Sequence, residues 1–538
     1  MEVPLTLDVI LRRARTVFAD REVTSRRDDG ALHRTSYGAV AARVDRLIGA
    51  LHALGVRPGD RVATFAWNHH RHLELYFAIP CAGAVLHTVN VKLAREQIAY
   101  IVDHAADRVL FVDRALVPAL LAALPDLPQE LRFVVMDDEG RGAEAGLPGA
   151  LDYETLLAQG APLTAPPVLD ERQAAGLCYT SGTTGDPKGV LYSHRAVVLH
   201  AFGCGMIDSL GVSQREVVLP VVPMFHVYAW GLPYASALTG ARLVLPGSHL
   251  TGDALANLIE GERVTFAAGV PTIWNLVLQS LRRQRRDVAS LRRIVLGGAP
   301  APRALIEQWQ HEFGVPITHA WGMTETSPVG SCTHAGSTWL SPDDPRDLEL
   351  RSKPGRPVPG LEARIVGDDG GELPWDGVTT GELCVRGPWV ARRYYGDGVP
   401  QDAFTDDGWF RTGDIATIDP SGAIAITDRK KDLIKSRGEW ISSNALENEV
   451  LLHPAVLEAA VVARAHDLRD EVPVLFVVAR DPAAPPAAAD LIAHLAARFP
   501  RWQLPRREDV HVVEAIPKTG VGKLDKKLLR QRLRGDGA

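Results

Sequence analysis

From residue 36 to 116 the apolar positions fall first at helical spacing and then in short unbroken runs, and the two patterns alternate. The alternation predicts a helix capped by Ser36 and running to about residue 54, a strand at 62–67, a helix at 70–82 and a strand at 84–87. A second block begins near Gln97 with a helix to about 106 and a strand at 108–112. It closes in the polar, proline-containing stretch 158–170, which reads as a loop. Wiring of this kind builds an α/β domain. Further on, 174–179 predicts a buried strand, 217–231 a strand that runs into a loop dense in His226, Tyr228 and Trp230, and 264–274 and 291–300 strands that end in turns. Ligands of open α/β sheets sit at such ends. From 444 to 461 a short helix leads to a strand; another strand at 472–480 and a Pro/Ala-rich connector at 481–490 precede a last helix. This is a second, small α/β unit of about a hundred residues.

The densest chemistry follows the strand at 174–179. In YTSGTTGDPKGV, 179–190, Gly182, Gly185 and Gly189 let the backbone turn its N–H groups inward. Thr180, Ser181, Thr183 and Thr184 supply hydroxyls and Lys188 a positive charge, a set suited to phosphate. Ser193 then caps a predicted helix, so that strand, glycine-rich turn and helix aim donors at an anion. Lys188 lies between Pro187 and Gly189, which excludes a Walker loop. Taken alone, the segment also reads as a surface loop of turn-forming residues.

Other segments are open in the same way. The aromatics at 226–230 suit an apolar pocket or a packed core. In VPITHAWGMTETSP, Glu325 is a ligand for a hard cation and Thr324 a phosphate donor. Asp414 follows a tight turn in GWFRTGD, and DRKKDLIKSRGEWIS, 428–442, mixes bases with acids in a pattern that fits sugar and phosphate contacts or a charged linker. Lys523 stands on a glycine-bearing turn in PKTGVGKLDKKLLR, either a swinging active-site group or a solvated tail. The basic run 281–293 reads as a solvated helix face, and His69, His70 and His72 are too close along a helix to converge on a metal.

Composition narrows the classes. The 538 residues are 46% hydrophobic and 23% charged, enough for several domains with ample cores. A net charge of -6 gives no reason to expect nucleic acid as a partner. The arginines and acids in the first 23 residues break any signal-peptide core, and no apolar stretch is long enough to span a bilayer, so a cytoplasmic protein without stable membrane insertion is expected. Cys81, Cys178, Cys204, Cys332 and Cys384 are scattered, as reduced thiols would be.

Five segments in one order, YTSGTTGDPKG, PMFHVYAWG, HAWGMTETSP, GWFRTGD with DRKKDLIKSRGEWIS, and PKTGVGKLDKK, resemble the acyl-adenylate-forming enzymes, the family of acyl-CoA synthetases, luciferases and nonribosomal adenylation domains. The block KSRGEWISSNALEN, with PMFHVYAWG and YSHRAVVLH, is most similar to medium- and long-chain fatty acyl-CoA ligases and to ligases of small alkylthio-propionates. The resemblance implies an α/β fold with a large multi-subdomain N-terminal AMP-binding domain (1–427), a hinge (428–433) and a small mobile α+β C-terminal domain (434–538). It implies ATP, Mg2+ and CoA as co-substrates and cofactor, and a hydrophobic carboxylic acid as substrate. A homodimer is implied as well.

Carried over by position, Thr180 and Glu325 would hold Mg2+, and Thr180 to Lys188 the β- and γ-phosphates. Gly298, Ala299, His319, Ala320 and Trp321 would surround adenine, and Thr324 would reach the α-phosphate. Asp414 would take the ribose with help from Arg429. Lys431 and Lys435 are similar to the family's linker lysines. Lys523 is similar to the adenylation lysine and, with Glu325, Thr324 and His226, makes up the implied catalytic set. Arg437, Gly438, Glu439 and Trp440 would form a thiol channel after domain rotation, and Val227, Tyr228 and Trp230 would line the acyl tunnel. Three positions depart from the pattern: Arg437 stands for a usual glycine, Tyr228 for a smaller polar residue, and Trp321 for a frequent tyrosine. The expected activity is an AMP-forming acid:CoA ligase acting on a medium- or long-chain or bulky lipophilic acid. The rivals are an acyl-AMP ligase that loads a carrier-protein thiol and a non-catalytic nucleotide-binding regulator.

Overall fold

The computed structural model describes all residues except 1, 164, 166, 181–185, 334–343, 397–400, 437–438, 467–469, 519–523 and 535–538. Two large sheets organise the N-terminal part. The first has seven strands, ordered Leu151–Asp152, Arg132–Met136, Asp107–Asp113, Arg61–Phe65, Val85–Thr88, Ala174–Tyr179 and Gly189–Ser193, and all neighbours are parallel except the last pair. The second has nine, with a parallel centre from Ile317–Gly322 through Arg293–Leu296, Phe266–Gly269, Val217–Pro220 and Arg242–Leu245 to Glu22–Arg26, and antiparallel edges.

Strand alternation explains how both sheets are covered on two faces. In Asp107–Asp113, Val109 and Phe111 enter one core while Leu110 and Val112 enter another. In the second sheet Leu243 and Leu245 face the first of these cores and Val244 faces away. The shared core contains strand residues from both sheets together with the helices Leu7–Val17, Tyr37–Ala53, His70–Cys81, His194–Gly205 and Leu232–Thr239, so these helices are the layer between the sheets. Helices Gly252–Glu262, Pro271–Arg283 and Arg303–Phe313 cover the far face of the second sheet, and Arg95–Ala105 and Val117–Ala123 that of the first. Parallel strands buried on both faces need such runs of Val, Ile and Leu.

The predicted helix starts are capped as expected: the Ser36 hydroxyl accepts the Ala39 N–H at 3.3 Å, and the Ser193 hydroxyl that of Ala196 at 3.1 Å. The basic run differs from a helix face. The helix Pro271–Arg283 ends inside it, and Arg283 reaches back to Asp253 at 3.1 Å. Of the histidine group, His69 contacts Asp113 at 2.7 Å, His72 the Thr64 hydroxyl at 3.0 Å, and His70 stacks on His33.

A four-stranded antiparallel sheet (Glu362–Val366, Gly381–Arg386, Phe410–Ile418, Ile424–Arg429) follows with its own core. The C-terminal unit wraps the helices Ser443–Val450 and Ala488–Ala496 against a five-stranded sheet built on the long hairpin of Val456–His466 with Asp470–Ala479. Large α/β domain and small α+β domain form the expected architecture. Among the described residues no helix is long and apolar enough to cross a membrane, and the five cysteines are buried and form no disulfide.

His200, in the helix layer, is 2% exposed and its Nε2 accepts the Val329 N–H at 3.2 Å; burial lowers its pKa to about 3. The unfolded chain protonates this ring below about pH 6.5 while the fold does not. Its contribution is therefore complete above that pH and is lost as pH falls towards the folded value. Burial of His72 and His194, lowered to about 3 and about 4, acts with the same sign. The urea midpoint is expected to drop steadily from pH 7 to pH 4.5, and His200→Gln to flatten that slope; an equal slope in the variant would remove His200 from the account.

Candidate active site

The glycine-rich loop is the mouth of a hairpin. Strands Ala174–Tyr179 and Gly189–Ser193 pair antiparallel, and the Thr180 N–H donates to the Lys188 carbonyl at 2.9 Å while the Lys188 N–H donates to the Thr180 hydroxyl at 3.1 Å. This corrects the expected strand–turn–helix. The five-residue strand Gly189–Ser193 separates the loop from the helix His194–Gly205, so the loop does not open that helix. β-Branched Val190 and aromatic Tyr192 favour this pairing over helix. Ser181, Gly182, Thr183, Thr184 and Gly185 lie outside the described residues.

Lys188 has a partner that sequence patterns did not reveal. Its ammonium lies 4.6 Å from the centroid of the Tyr394 ring, and the Tyr394 hydroxyl donates to Glu325 Oε1 at 2.8 Å. Glu325 sits on the short 3-10 turn Thr324–Thr326 and is 5% exposed; burial raises its pKa against the pull of that hydrogen bond. The same turn is tied down twice more, by the Ala391 N–H donating to the Glu325 carbonyl at 2.7 Å and the Tyr192 hydroxyl donating to the Thr324 carbonyl at 2.7 Å.

Beside this turn a cavity of about 460 Å³ is lined by Gly298, Ala299, His319, Ala320, Trp321, Asp414 and Arg429. These are the residues that the resemblance assigns to adenine and ribose, and they come from four strands: the exit of Arg293–Leu296, the end of Ile317–Gly322, the middle of Phe410–Ile418 and the end of Ile424–Arg429. Gly298 takes φ +77°, a conformation that favours glycine, where the chain leaves the strand Arg293–Leu296. The Trp321 indole N–H donates to Asp414 Oδ2 at 2.8 Å, and Arg429 Nε pairs with Asp414 Oδ1 at 3.0 Å. Asp414 and Arg429 are register partners on neighbouring antiparallel strands. The Asp414 carboxylate raises the pKa of the Arg429 guanidinium, which stays charged. The Trp321 ring is seated on Gly330, where a Cβ would come within 2.4 Å of it. His319 Nδ1 contacts the Ser352 carbonyl at 2.9 Å, and burial lowers its pKa to about 4, so the ring is neutral at pH 7.

The small C-terminal unit supplies the opposite wall of this cavity through Asn444, Glu449, Leu452, Arg498 and Phe499, none of which the sequence singled out. Residues scattered over two helices and the turns that follow them leave no local signal. Lys431 and Lys435 are exposed, and Trp440, 56% exposed, lies under the Lys435 ammonium at 5.8 Å. With Glu439 they stand apart from the residues that line the cavity. Arg437, Gly438 and Lys523 fall outside the described residues. His226 is half-buried, and after it Val227, Tyr228, Ala229 and Trp230 all hold positive φ between 45° and 57°, a left-handed turn without glycine until Gly231.

A family model described as AMP-binding enzyme matches residues 11–395, and one described as AMP-binding enzyme C-terminal domain matches 445–523. The chain belongs to the AMP-binding enzyme family. It is 46% identical over 536 residues to a long-chain-fatty-acid–CoA ligase of Thermus thermophilus, covering 99% of this chain and 96% of that protein. A 3-methylmercaptopropionyl-CoA ligase of Ruegeria lacuscaerulensis is 43% identical over 534 residues, 99% and 98% of the two chains. The fold is also that of a crystal structure of an anthranilate CoA ligase in complex with anthranoyl-AMP, at a TM-score of 0.88, 24% identity and 99% coverage of both chains.

Trp321→Phe would keep a ring on Gly330 and remove the donor to Asp414. A hydrogen bond to a charged group contributes about 1.5 kcal/mol or more, so AMP affinity by titration calorimetry is expected to fall about tenfold. Unchanged affinity would show that the orientation of Asp414 does not depend on the indole.

Proposed function

We propose that the chain is an ATP-dependent carboxylic acid:CoA ligase, forming an acyl-AMP and then an acyl-CoA from a hydrophobic acid, with release of pyrophosphate and AMP. The observation that carries this reading is the Trp321–Asp414–Arg429 group in the cavity wall with the buried Glu325, held by Tyr394, near enough to feel the charges of Arg429 and Asp414. The relatives' names, long-chain fatty acid at one extreme and 3-methylmercaptopropionate at the other, supply the substrate class.

In this reading adenine enters between Gly298–Ala299 and His319–Ala320, the ribose hydroxyls bond to Asp414, and Thr324 contacts the α-phosphate. Both Asp414 oxygens already accept one donor, and each keeps a second lone pair for a hydroxyl. Lys188 and the loop from Thr180 face the β- and γ-phosphates. Glu325 and Thr180 would hold Mg2+, and the fit is chemical: both offer hard oxygens, and a carboxylate buried to 5% exposure is costly unless a cation compensates it. Among the described residues no three His, Cys, Asp or Glu gather as a metal site, in keeping with a cation shared with substrate phosphates. When bound, that cation supplies neutralising charge to the phosphates.

The substrate carboxylate oxygen attacks the α-phosphorus and pyrophosphate leaves; Lys523 is the proposed counter-charge for the transition state. In the second step the CoA sulfur attacks the acyl carbonyl, AMP leaves and the thiol proton passes to solvent. Glu439 and Trp440, now on the surface, would reach the cleft with Arg437 and Gly438 only by rotation of residues 434–538 about 428–433. The charge and position of Lys431 and Lys435 suit contacts made during that movement. A cytoplasmic setting is supported by five buried cysteines that form no disulfide, and a homodimer is part of the proposal.

Purified protein with ATP, Mg2+, CoA and a panel of acids is expected to yield acyl-CoA and AMP in equal amounts. Acyl-AMP without thioester would instead assign a carrier-protein thiol as acceptor, and no product with any acid would reject catalysis. Lys523→Ala is expected to lower acyl-AMP formation by about a thousandfold while ATP binding is retained; unchanged adenylation would sink the lysine role. Light scattering at micromolar concentration tests the dimer.

A further inference from the structure

On the basis of the ligase reading, we infer that Tyr228 is a specificity-determining plug that fills the inner end of the acyl pocket and restricts the enzyme to compact acids, short straight or branched chains. The inference rests on where the left-handed turn delivers this side chain. Tyr228 lies on the segment between His226 and Trp230, and the Trp230 ring packs over Gly297, so close that a Cβ there would meet it at 2.8 Å; the Ala320 carbonyl, part of the nucleotide cleft, is 3.0 Å from the same point. Trp230 thus borders the cleft. Tyr228 points deeper, between the helix layer and the first sheet. Its hydroxyl donates to the Leu86 carbonyl at 2.8 Å, and it occupies the space that a side chain at Gly176 would need, since a Cβ on Gly176 would lie 1.6 Å from Tyr228 Oη. Leu86 and Gly176 are paired on adjacent strands, so the tyrosine lies across the sheet surface itself.

The surroundings close the remaining space. Tyr76, Tyr192 and Tyr234 meet the Tyr228 ring edge-on at centroid distances of 5.3, 5.4 and 6.0 Å, and all four are 3% exposed or less. Tyr192 belongs at once to this cluster and to the reaction site, because its hydroxyl holds the Thr324 carbonyl. A chain that grows inward from a carboxylate near Thr324 therefore passes Tyr192 and Trp230 and then meets the Tyr228 ring. Its hydroxyl is satisfied by a sheet carbonyl and its ring packs on three others, so displacing it leaves a buried acceptor and a disrupted core. Four consecutive non-glycine residues at positive φ are costly as well, and such strain persists where surrounding structure enforces a particular placement.

The test is the ratio of kcat/KM for dodecanoate to that for butyrate, in wild type, Tyr228→Ala and Tyr228→Phe. Each methylene a pocket accepts or refuses changes kcat/KM by about tenfold or more, so wild type should favour butyrate by at least about a hundredfold. Tyr228→Ala should raise the dodecanoate to butyrate ratio by at least about a hundredfold, whereas Tyr228→Phe, which keeps the bulk and loses only the hydroxyl, should hold the ratio within about threefold. A wild-type enzyme that takes dodecanoate as well as butyrate overturns the inference even if the alanine variant fails to fold, and leaves the ligase reading intact. A folded alanine variant with the wild-type ratio also overturns it. No acyl-AMP from any acid in wild type rejects the ligase reading and the plug with it.

Discussion

One carboxylate ties two sheets of the molecule together. Asp414, 2% exposed on the third sheet, accepts the Trp321 indole N–H from the end of the second sheet on one oxygen and faces Arg429 with the other. Arg429 ends the strand that precedes the C-terminal unit. A buried anion must be compensated, and here both compensating donors are rigidly placed, Trp321 by its seat on Gly330 and Arg429 by cross-strand register. The cleft takes its shape from this arrangement, since the third sheet cannot slide along the second without breaking the Trp321 hydrogen bond to this buried carboxylate.

The second charged group works differently. Glu325 is buried with one hydroxyl partner, Tyr394, and Lys188 meets the face of that same ring rather than the carboxylate. Burial consequently raises its pKa, where a direct lysine pair would lower it. Such a carboxylate is held in place by the ring hydroxyl, while burial leaves its charge only partly compensated. The two groups differ in balance: each Asp414 oxygen has a donor from Trp321 or Arg429, whereas Glu325 has the Tyr394 hydroxyl.

Stability and selectivity conflict beneath the cleft. The tyrosines 76, 192, 228 and 234 place four hydroxyls in a core that burial strongly favours only if each finds an acceptor, and the carbonyls of Met224, Thr324, Leu86 and Tyr76 provide them. A purely apolar core of the same size would need no such matching. The polar version holds each ring in a single orientation, and that orientation defines where space for a substrate ends.

Features set by neighbours along the chain were legible from residues alone. Alternating periodicities located the helices Tyr37–Ala53 and His70–Cys81 and the strand Ala174–Tyr179, and Ser36 and Ser193 marked helix starts because a cap acts within three residues. The motifs named the family, and the residues implied for adenine and ribose line one cavity. Sequence by itself determined which groups are present and the local elements that carry them. Only the tertiary structure decided their partners: Tyr394 against Glu325 across 69 residues, Trp321 against Asp414 across 93, the wall offered by Arg498 and Phe499, and the hairpin that separates the glycine loop from the helix after it. The left-handed course of 227–230 belongs with these, because no residue there prefers positive φ. Local preference disfavours that turn, and packing between two sheets imposes it.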